Sequence, residues 1–318
     1  MKLKVENVRG PGGKLLARSL VVRDTDETTV GLEPRIGLNL LMGVTGSGKT
    51  LLAKALWLGA AASVLALIGR PELLRPLAAC SGVRISHMRF AACFEEACIN
   101  TTISDYQAEV ETEEDKRRAL YALAQILAVW PERLLTAGWL DALTGDLPDH
   151  ECLATAVLLP PAVVRGRPQP CYVRRLGIDV PTLEEGLWYE GSRGELDMLL
   201  FTAAVEAAEQ IREFAREHGV YAPPLVYYDD AFSNLDAAKM ETLLKRRYDV
   251  SVYAATHRLE AGTHAARVFL LTYGTLASEL IDQTPDFRFG LVSAELVEHE
   301  GRIFRDVCEK MLGECELF

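Results

Sequence analysis

Residues 43–50 read GVTGSGKT, which matches the spacing G-x-x-x-x-G-K-[ST] with Gly43, Gly48, Lys49 and Thr50 at its defining places. Glycines at such spacing let the backbone curl tightly, so that N–H groups of the run Gly43, Thr45, Gly46, Ser47 and Gly48 face inward around phosphate oxygens. Lys49 then reaches the β and γ phosphates, and the Thr50 hydroxyl serves as a ligand for Mg²⁺. Such a loop needs a carboxylate for the metal at the tip of a neighbouring strand. Residues 225–230, LVYYDD, supply a short apolar run ending in Asp229 and Asp230. Two adjacent carboxylates repel each other, and a bound cation relieves that repulsion. Asp229 is assigned to the metal, and Asp230 is placed to polarise an attacking water.

Both motifs need elements to hold them. Residues 36–42 (IGLNLLM) form an apolar run suited to a buried strand before the glycine loop, and a helix is expected from about Gly48 to Leu67. Residues 1–9 and 19–23 alternate as strands around a GPGG turn at 10–13, and 83–90 suggest another strand. Residues 115–145 carry Leu120, Leu123, Ile126, Leu127, Leu134 and Leu135 at helical spacing, whereas 152–180 read as β. A helix over about 195–218, strands at 225–230, 250–256 and 267–274, and a helix over 237–247 complete the reading. Strands alternating with helices predict an α/β fold with a mainly parallel core sheet, N-terminal antiparallel strands and an inserted helical lobe. The expected division is a core lobe of about 1–92 with 219–318, and an inserted lobe of about 93–218. No heptad pattern persists, so no long coiled coil is expected.

Composition narrows the partners. The chain has 318 residues, of which 49% are hydrophobic and 25% charged, ordinary values for a globular protein. Its net charge is −11, from 34 basic and 45 acidic side chains. A nucleic-acid protein of this balance needs a local basic patch. The candidates are Lys116-Arg117-Arg118, Arg174-Arg175 and Lys245-Arg246-Arg247, which fit solvated element ends equally well. The first ten residues carry Lys2, Lys4, Glu6 and Arg9 and lack an apolar targeting core, and the apolar stretch 55–68 is shorter than the ~20 residues a span takes. The expected setting is cytoplasmic, without membrane insertion. Seven cysteines, at 80, 93, 98, 152, 171, 308 and 315, form no paired CxxC arrangement. They are expected to be small buried residues with disulfides as an alternative, and no structural zinc site is expected.

The motifs and their order resemble those of the ABC-type ATPases. YYDDAFSNLD (227–236) is similar to that family's acidic strand and the S-x-L-D segment after it, with Asp236 as the segment's aspartate. YAATHR (253–258) resembles the strand that ends in a switch histidine, which implies that His257 contacts the γ phosphate. EGSRGELDMLL (190–200) resembles the family signature at a helix start; Ser192, Gly194 and Glu195 match, and Arg193 replaces a glycine. MKLKVENVRG resembles the opening of the SMC and RecF-like branch, making Arg9 a candidate phosphate contact. The likeness covers roughly 1–60 and 186–275. Two departures stand out: Gln107 lies near where a glutamine is expected but in no recognisable context, and Asp230 stands where glutamate is usual, which suggests slow hydrolysis.

The resemblance implies ATP with Mg²⁺ as ligands. It also implies an ATP-dependent homodimer in which Ser192, Gly194 and Glu195 of one chain face the nucleotide of the other. Three readings follow: a DNA-associated ATPase, an ATPase subunit driving a protein or membrane-transport partner, and a small-molecule kinase.

Overall fold

The computed structural model describes residues 2–6, 29–32, 36–42, 49–81, 87–95, 97–129, 147–158, 163–164, 170–183, 192–258, 261, 267–270 and 291–293. Strands β1 (Lys2–Glu6) and β2 (Thr29–Leu32) come first. Strand β3 (Gly37–Met42) is followed by helices α1 (Lys49–Leu67) and α2 (Leu74–Ser81). Three strands come next, β4 (His87–Phe94), β5 (Ala97–Ser104) and β6 (Gln107–Thr112), then α3 (Lys116–Leu123) and β7 (Ile126–Val129). Short elements follow: α4 (Asp149–Ala154), β8 (Val163–Val164), α5 (Cys171–Arg174) and β9 (Thr182–Leu183). The long α6 (Arg193–Glu217) leads to β10 (Leu225–Tyr228), α7 (Ala237–Lys245), β11 (Ser251–Thr256), β12 (Arg267–Leu270) and β13 (Leu291–Ser293).

The fold is α/β. A six-stranded sheet runs in the order β13-β12-β3-β11-β10-β7 and is parallel except for its edge strand β13. A five-stranded antiparallel sheet runs β2-β1-β4-β5-β6 and contains the N-terminal strands. Helix α1 packs against strands of both sheets. That position explains its composition: Leu52, Leu56, Trp57, Leu58, Val64 and Leu65 are all buried, although they point around the whole helix. Gly59 is required where α1 crosses β4, because a Cβ there would lie 2.4 Å from the Phe90 ring. Trp57 donates its indole N–H to the Val157 carbonyl (2.8 Å), and the Ser63 and Thr101 hydroxyls meet at 2.6 Å.

Several expectations change. The helix read over 115–145 ends after Leu123, and Ile126–Val129 is a strand on the edge of the parallel sheet. A short all-apolar run has the same spacing in a buried strand as in a helix, and pairing with β10 decides for the strand. Of the stretch read as β over 152–180, the described residues form mainly short helices, α4, a 3₁₀ turn at Thr155–Val157 and α5, with Val163–Val164 as a strand. The strand placed at 83–90 runs over 87–94 and opens an antiparallel meander. Its second turn is Asp105-Tyr106, where φ is +48° and +65°, the two-residue geometry that suits strand twist. Among the described residues four cysteines are paired: Cys93–Cys98 bridges β4 to β5, and Cys152–Cys171 bridges α4 to α5. The strand expected at 19–23, Cys308 and Cys315 lie outside the described residues.

Candidate functional site

Parallel strands end at a common edge, and their C-terminal ends form the crevice where α/β sheets hold ligands. Here the register aligns three such ends. Thr256 of β11 lies beside Met42 of β3, and Tyr228 of β10 lies beside Ala254 of β11. The next residues along the chain are therefore the run 43–48, Asp229 and His257. Strands β10 and β11 are buried over their whole length, as expected of strands covered on both faces.

Lys49 and Thr50 open α1, so the positive end of that helix faces the same edge. Gly43, Thr45, Gly46, Ser47, Gly48 and Arg9 lie outside the described residues. The Thr50 side chain hydrogen-bonds the Asp229 carboxylate, which joins the start of α1 to the end of β10. A second tie lies beneath it: the Tyr227 hydroxyl donates to the Lys49 carbonyl at 2.9 Å. Tyr227 is fully buried, and burial, with the Asp229 charge adding to it, raises its phenol well above the ordinary range. It acts there as a neutral donor.

Asp229 is 3% exposed. Burial pushes its carboxyl up from the usual 3.8 to about 6; the Thr50 hydrogen bond and the Lys49 charge oppose the rise, and Asp230 adds to it. Burial also lowers Lys49, against the pull of Asp229 and Asp230. The edge thus holds a carboxylate with less positive charge around it than its burial demands, beside a hydroxyl oxygen. That donor set fits a small divalent cation that keeps water and phosphate oxygens in its remaining positions. Among the described residues, no group of three or more His, Cys, Asp or Glu side chains is gathered to hold a metal without such help.

Asp230 and His257 lie near each other. His257 Nδ1 lies 3.8 Å from Asp230 Oδ1, and both side chains are partly exposed to the crevice. Asp230 has φ +55°, and its carboxylate accepts from the Ser233 hydroxyl. Aspartate tolerates this left-handed backbone better than most residues, because its short side chain bonds the local turn. The geometry gives a structural reason for aspartate at this position.

Ser192 caps α6, accepting from the Glu195 N–H at 3.3 Å. Ser192, Arg193 and Glu195 are exposed, whereas Gly194 is buried against the segment after Asp230. A Cβ at Gly194 would lie 2.3 Å from the Asn234 carbonyl oxygen. Asp236 caps α7, accepting from the Lys239 N–H at 2.8 Å, and this contact holds its carboxyl below the usual range. Gln107 opens β6 at an exposed hairpin end of the antiparallel sheet, opposite Ser104.

Sequence reasoning missed four contributors. They are the Tyr227 tether, Arg258, and the pair formed by Asn234 Nδ2 donating to Asp197 Oδ2 at 2.6 Å. Tyr227 carries no local signal, since any residue of a buried strand reads alike. Arg258 carries no local signal either, because its partners are the backbone carbonyls of Phe232 and Leu235.

The basic clusters are largely neutralised within the chain. Lys116 meets Glu151 at 2.6 Å, Arg118 meets Glu95 and Glu114, and Arg117 lies over the Tyr121 ring. Arg175 pairs with Asp149, Lys245 with Glu241, Arg246 with Glu206 and Arg247 with Asp249. Among the described residues no helix is long and apolar enough to cross a membrane.

No family model matches the chain. No curated protein matches it either. Among solved structures it is similar to an SMC head bound to the C-terminal winged-helix domain of ScpA, at TM-score 0.40 and 12% identity, over 85% of this chain and 93% of that one. It is similar to the recombination mediator protein RecF-ATPrS of the RecFOR pathway, at TM-score 0.38 and 14% identity, over 86% and 96%. A bacterial Atm1-family ABC exporter with ATP bound gives TM-score 0.37 and 15% identity over 99% of this chain, which spans only 43% of the exporter chain.

Proposed function

We propose that this chain is a Mg²⁺-dependent ATPase whose heads associate head to tail around ATP. The observation that carries the reading is the meeting of Lys49, Thr50, Asp229, Asp230 and His257 at one edge of the parallel sheet, with the Asp229 carboxylate buried and bonded by Thr50. In this reading Lys49 holds the β and γ phosphates, while Thr50 and Asp229 hold the metal. Bound Mg²⁺ supplies charge that offsets the growing negative charge on the transferred phosphoryl group. Asp230 orients the water, and His257 contacts the γ phosphate. Hydrolysis is slow, because the short carboxylate of Asp230 is also engaged by Ser233.

The exposure of Ser192, Arg193 and Glu195 at the positive end of α6 supports a role in trans, where that helix end meets the nucleotide held by a second copy. ATP would then join two copies, and hydrolysis would release them. The finer reading is a DNA-associated ATPase of the SMC/RecF kind acting in the cytoplasm, supported by the likeness of the first ten residues. Pairing of the basic clusters weighs instead toward a protein or membrane-transport partner.

Light scattering after size exclusion tests the core of the proposal, on a chain carrying Asp230→Asn to slow turnover. Mg·ATP is expected to convert monomer to dimer, and Ser192→Arg to abolish the conversion. A monomer with ATP tightly bound would overturn the head-to-tail reading and favour a kinase. DNA binding that weakens steeply with salt would support the DNA-associated reading, and its absence would reject it.

A further inference from the structure

The segment between β10 and α7 has an uncommon backbone. Asp230 and Phe232 have φ +55° and +71°. Left-handed backbone at a bulky aromatic is strained, and persists only where surrounding contacts hold it. Two sets of contacts do so. On one side, Arg258 Nη1 donates to the Leu235 carbonyl at 2.7 Å and the Phe232 carbonyl at 3.2 Å. On the other, the Asn234 amide donates to Asp197 in the first turns of α6, and the Asn234 carbonyl presses on Gly194. The Phe232 ring is buried beside Phe201 of the same helix, and the Tyr228 hydroxyl donates to the Asp197 carbonyl at 2.9 Å.

Arg258 therefore sits between two functional ends. The residue before it, His257, faces Asp230 in the crevice, and its own guanidinium grips the loop that leans on the start of α6. That start carries Ser192 and Glu195.

We infer that Arg258 is a positioning residue that, through the loop 232–235 and the Asn234–Asp197 bond, couples the crevice at His257 to the exposed N-terminus of α6. The coupling rests on the ATPase reading above. A change at His257 moves the end of β11, Arg258 carries the movement to the loop carbonyls, and Asn234 carries it to α6. The state of the nucleotide in one site thereby sets the helix end that meets the partner's nucleotide.

The test compares wild type with Arg258→Met, Arg258→Lys and Asp197→Asn by hydrogen–deuterium exchange of peptides covering 192–200 and 230–236, alongside Mg·ATP affinity and turnover. Arg258→Met is expected to speed exchange about tenfold in both peptides and to lower kcat about tenfold to a hundredfold, with affinity within about threefold of wild type. Arg258→Lys is expected to restore part of the protection, and it carries the test should Arg258→Met fail to fold. Asp197→Asn is expected to free the 192–200 peptide while leaving 230–236 less affected. Unchanged exchange at 192–200 in the Arg258 variants overturns the coupling, as does a fall in affinity matching the fall in turnover. A wild type that neither binds nor hydrolyses Mg·ATP sinks the ATPase reading instead, and the exchange data still decide whether Arg258 links the two segments.

Discussion

Replacing Asp229 by asparagine should stabilise the nucleotide-free protein at neutral pH, and the gain should vanish in acid. The carboxyl is raised from 3.8 to about 6 chiefly by burial, so the folded state holds a charge that water would solvate better. The gap is about 2 pH units, and each unit is worth about 1.4 kcal/mol, which sets a ceiling of about 3 kcal/mol. The sign follows from proton uptake. Between pH 4 and 6 the folded chain binds the proton and the unfolded chain does not, so this group's contribution to stability rises as pH falls through 6 and is complete near 4. Above pH 7 the penalty is present in full. Asparagine removes the charge while its carbonyl still accepts from Thr50. At pH 8 in a chelator, Asp229→Asn should be about 1–3 kcal/mol more stable, or roughly 2–6 °C higher in Tm. At pH 4.5 the difference should shrink to about a third of its value at pH 8, since the carboxyl is by then mostly protonated in the folded chain and other groups titrate in both proteins and cancel. Adding Mg·ATP should reverse the order at pH 8, because wild type gains binding energy that the variant forfeits. Thermal melts at the two pH values, with and without Mg·ATP, decide it. A variant that is less stable at pH 8, or a Tm difference independent of pH, would refute the argument that Asp229 is a desolvated charge awaiting a cation.

Other expectations follow from single contacts. Tyr227→Phe should cost about 1 kcal/mol and weaken Mg·ATP binding severalfold, measured by melting and calorimetry, because the buried hydroxyl ties Lys49 to β10. Gly194→Ala should cost about 1–3 kcal/mol by melting and should block ATP-driven dimerisation, since its Cβ overlaps the Asn234 carbonyl. Asp230→Glu should raise kcat, at a stability cost of about 1 kcal/mol for the longer side chain in left-handed backbone; equal turnover in the two proteins would remove the case for slow hydrolysis.

What the sequence by itself determined is local. A glycine-spaced lysine and threonine after one apolar run, two carboxylates after a second and a histidine after a third can each be read from a few neighbouring residues. Their convergence was also inferable, because parallel strands share a C-terminal edge. Ser192 and Asp236 were legible as helix starts for the same local reason, since each side chain accepts from an N–H three residues on. The tertiary structure alone decided what depends on pairing across distance. Ile126–Val129 has no intrinsic way to choose strand over helix, and only its register with Leu225–Tyr228 settles it. The meander from His87 to Thr112 and the bridges Cys93–Cys98 and Cys152–Cys171 are set by which segments meet. The grip of Arg258 on the Phe232 and Leu235 carbonyls is of the same kind. It joins residues 23 and 26 positions apart through backbone atoms that every residue possesses, so side-chain identities gave no sign of it.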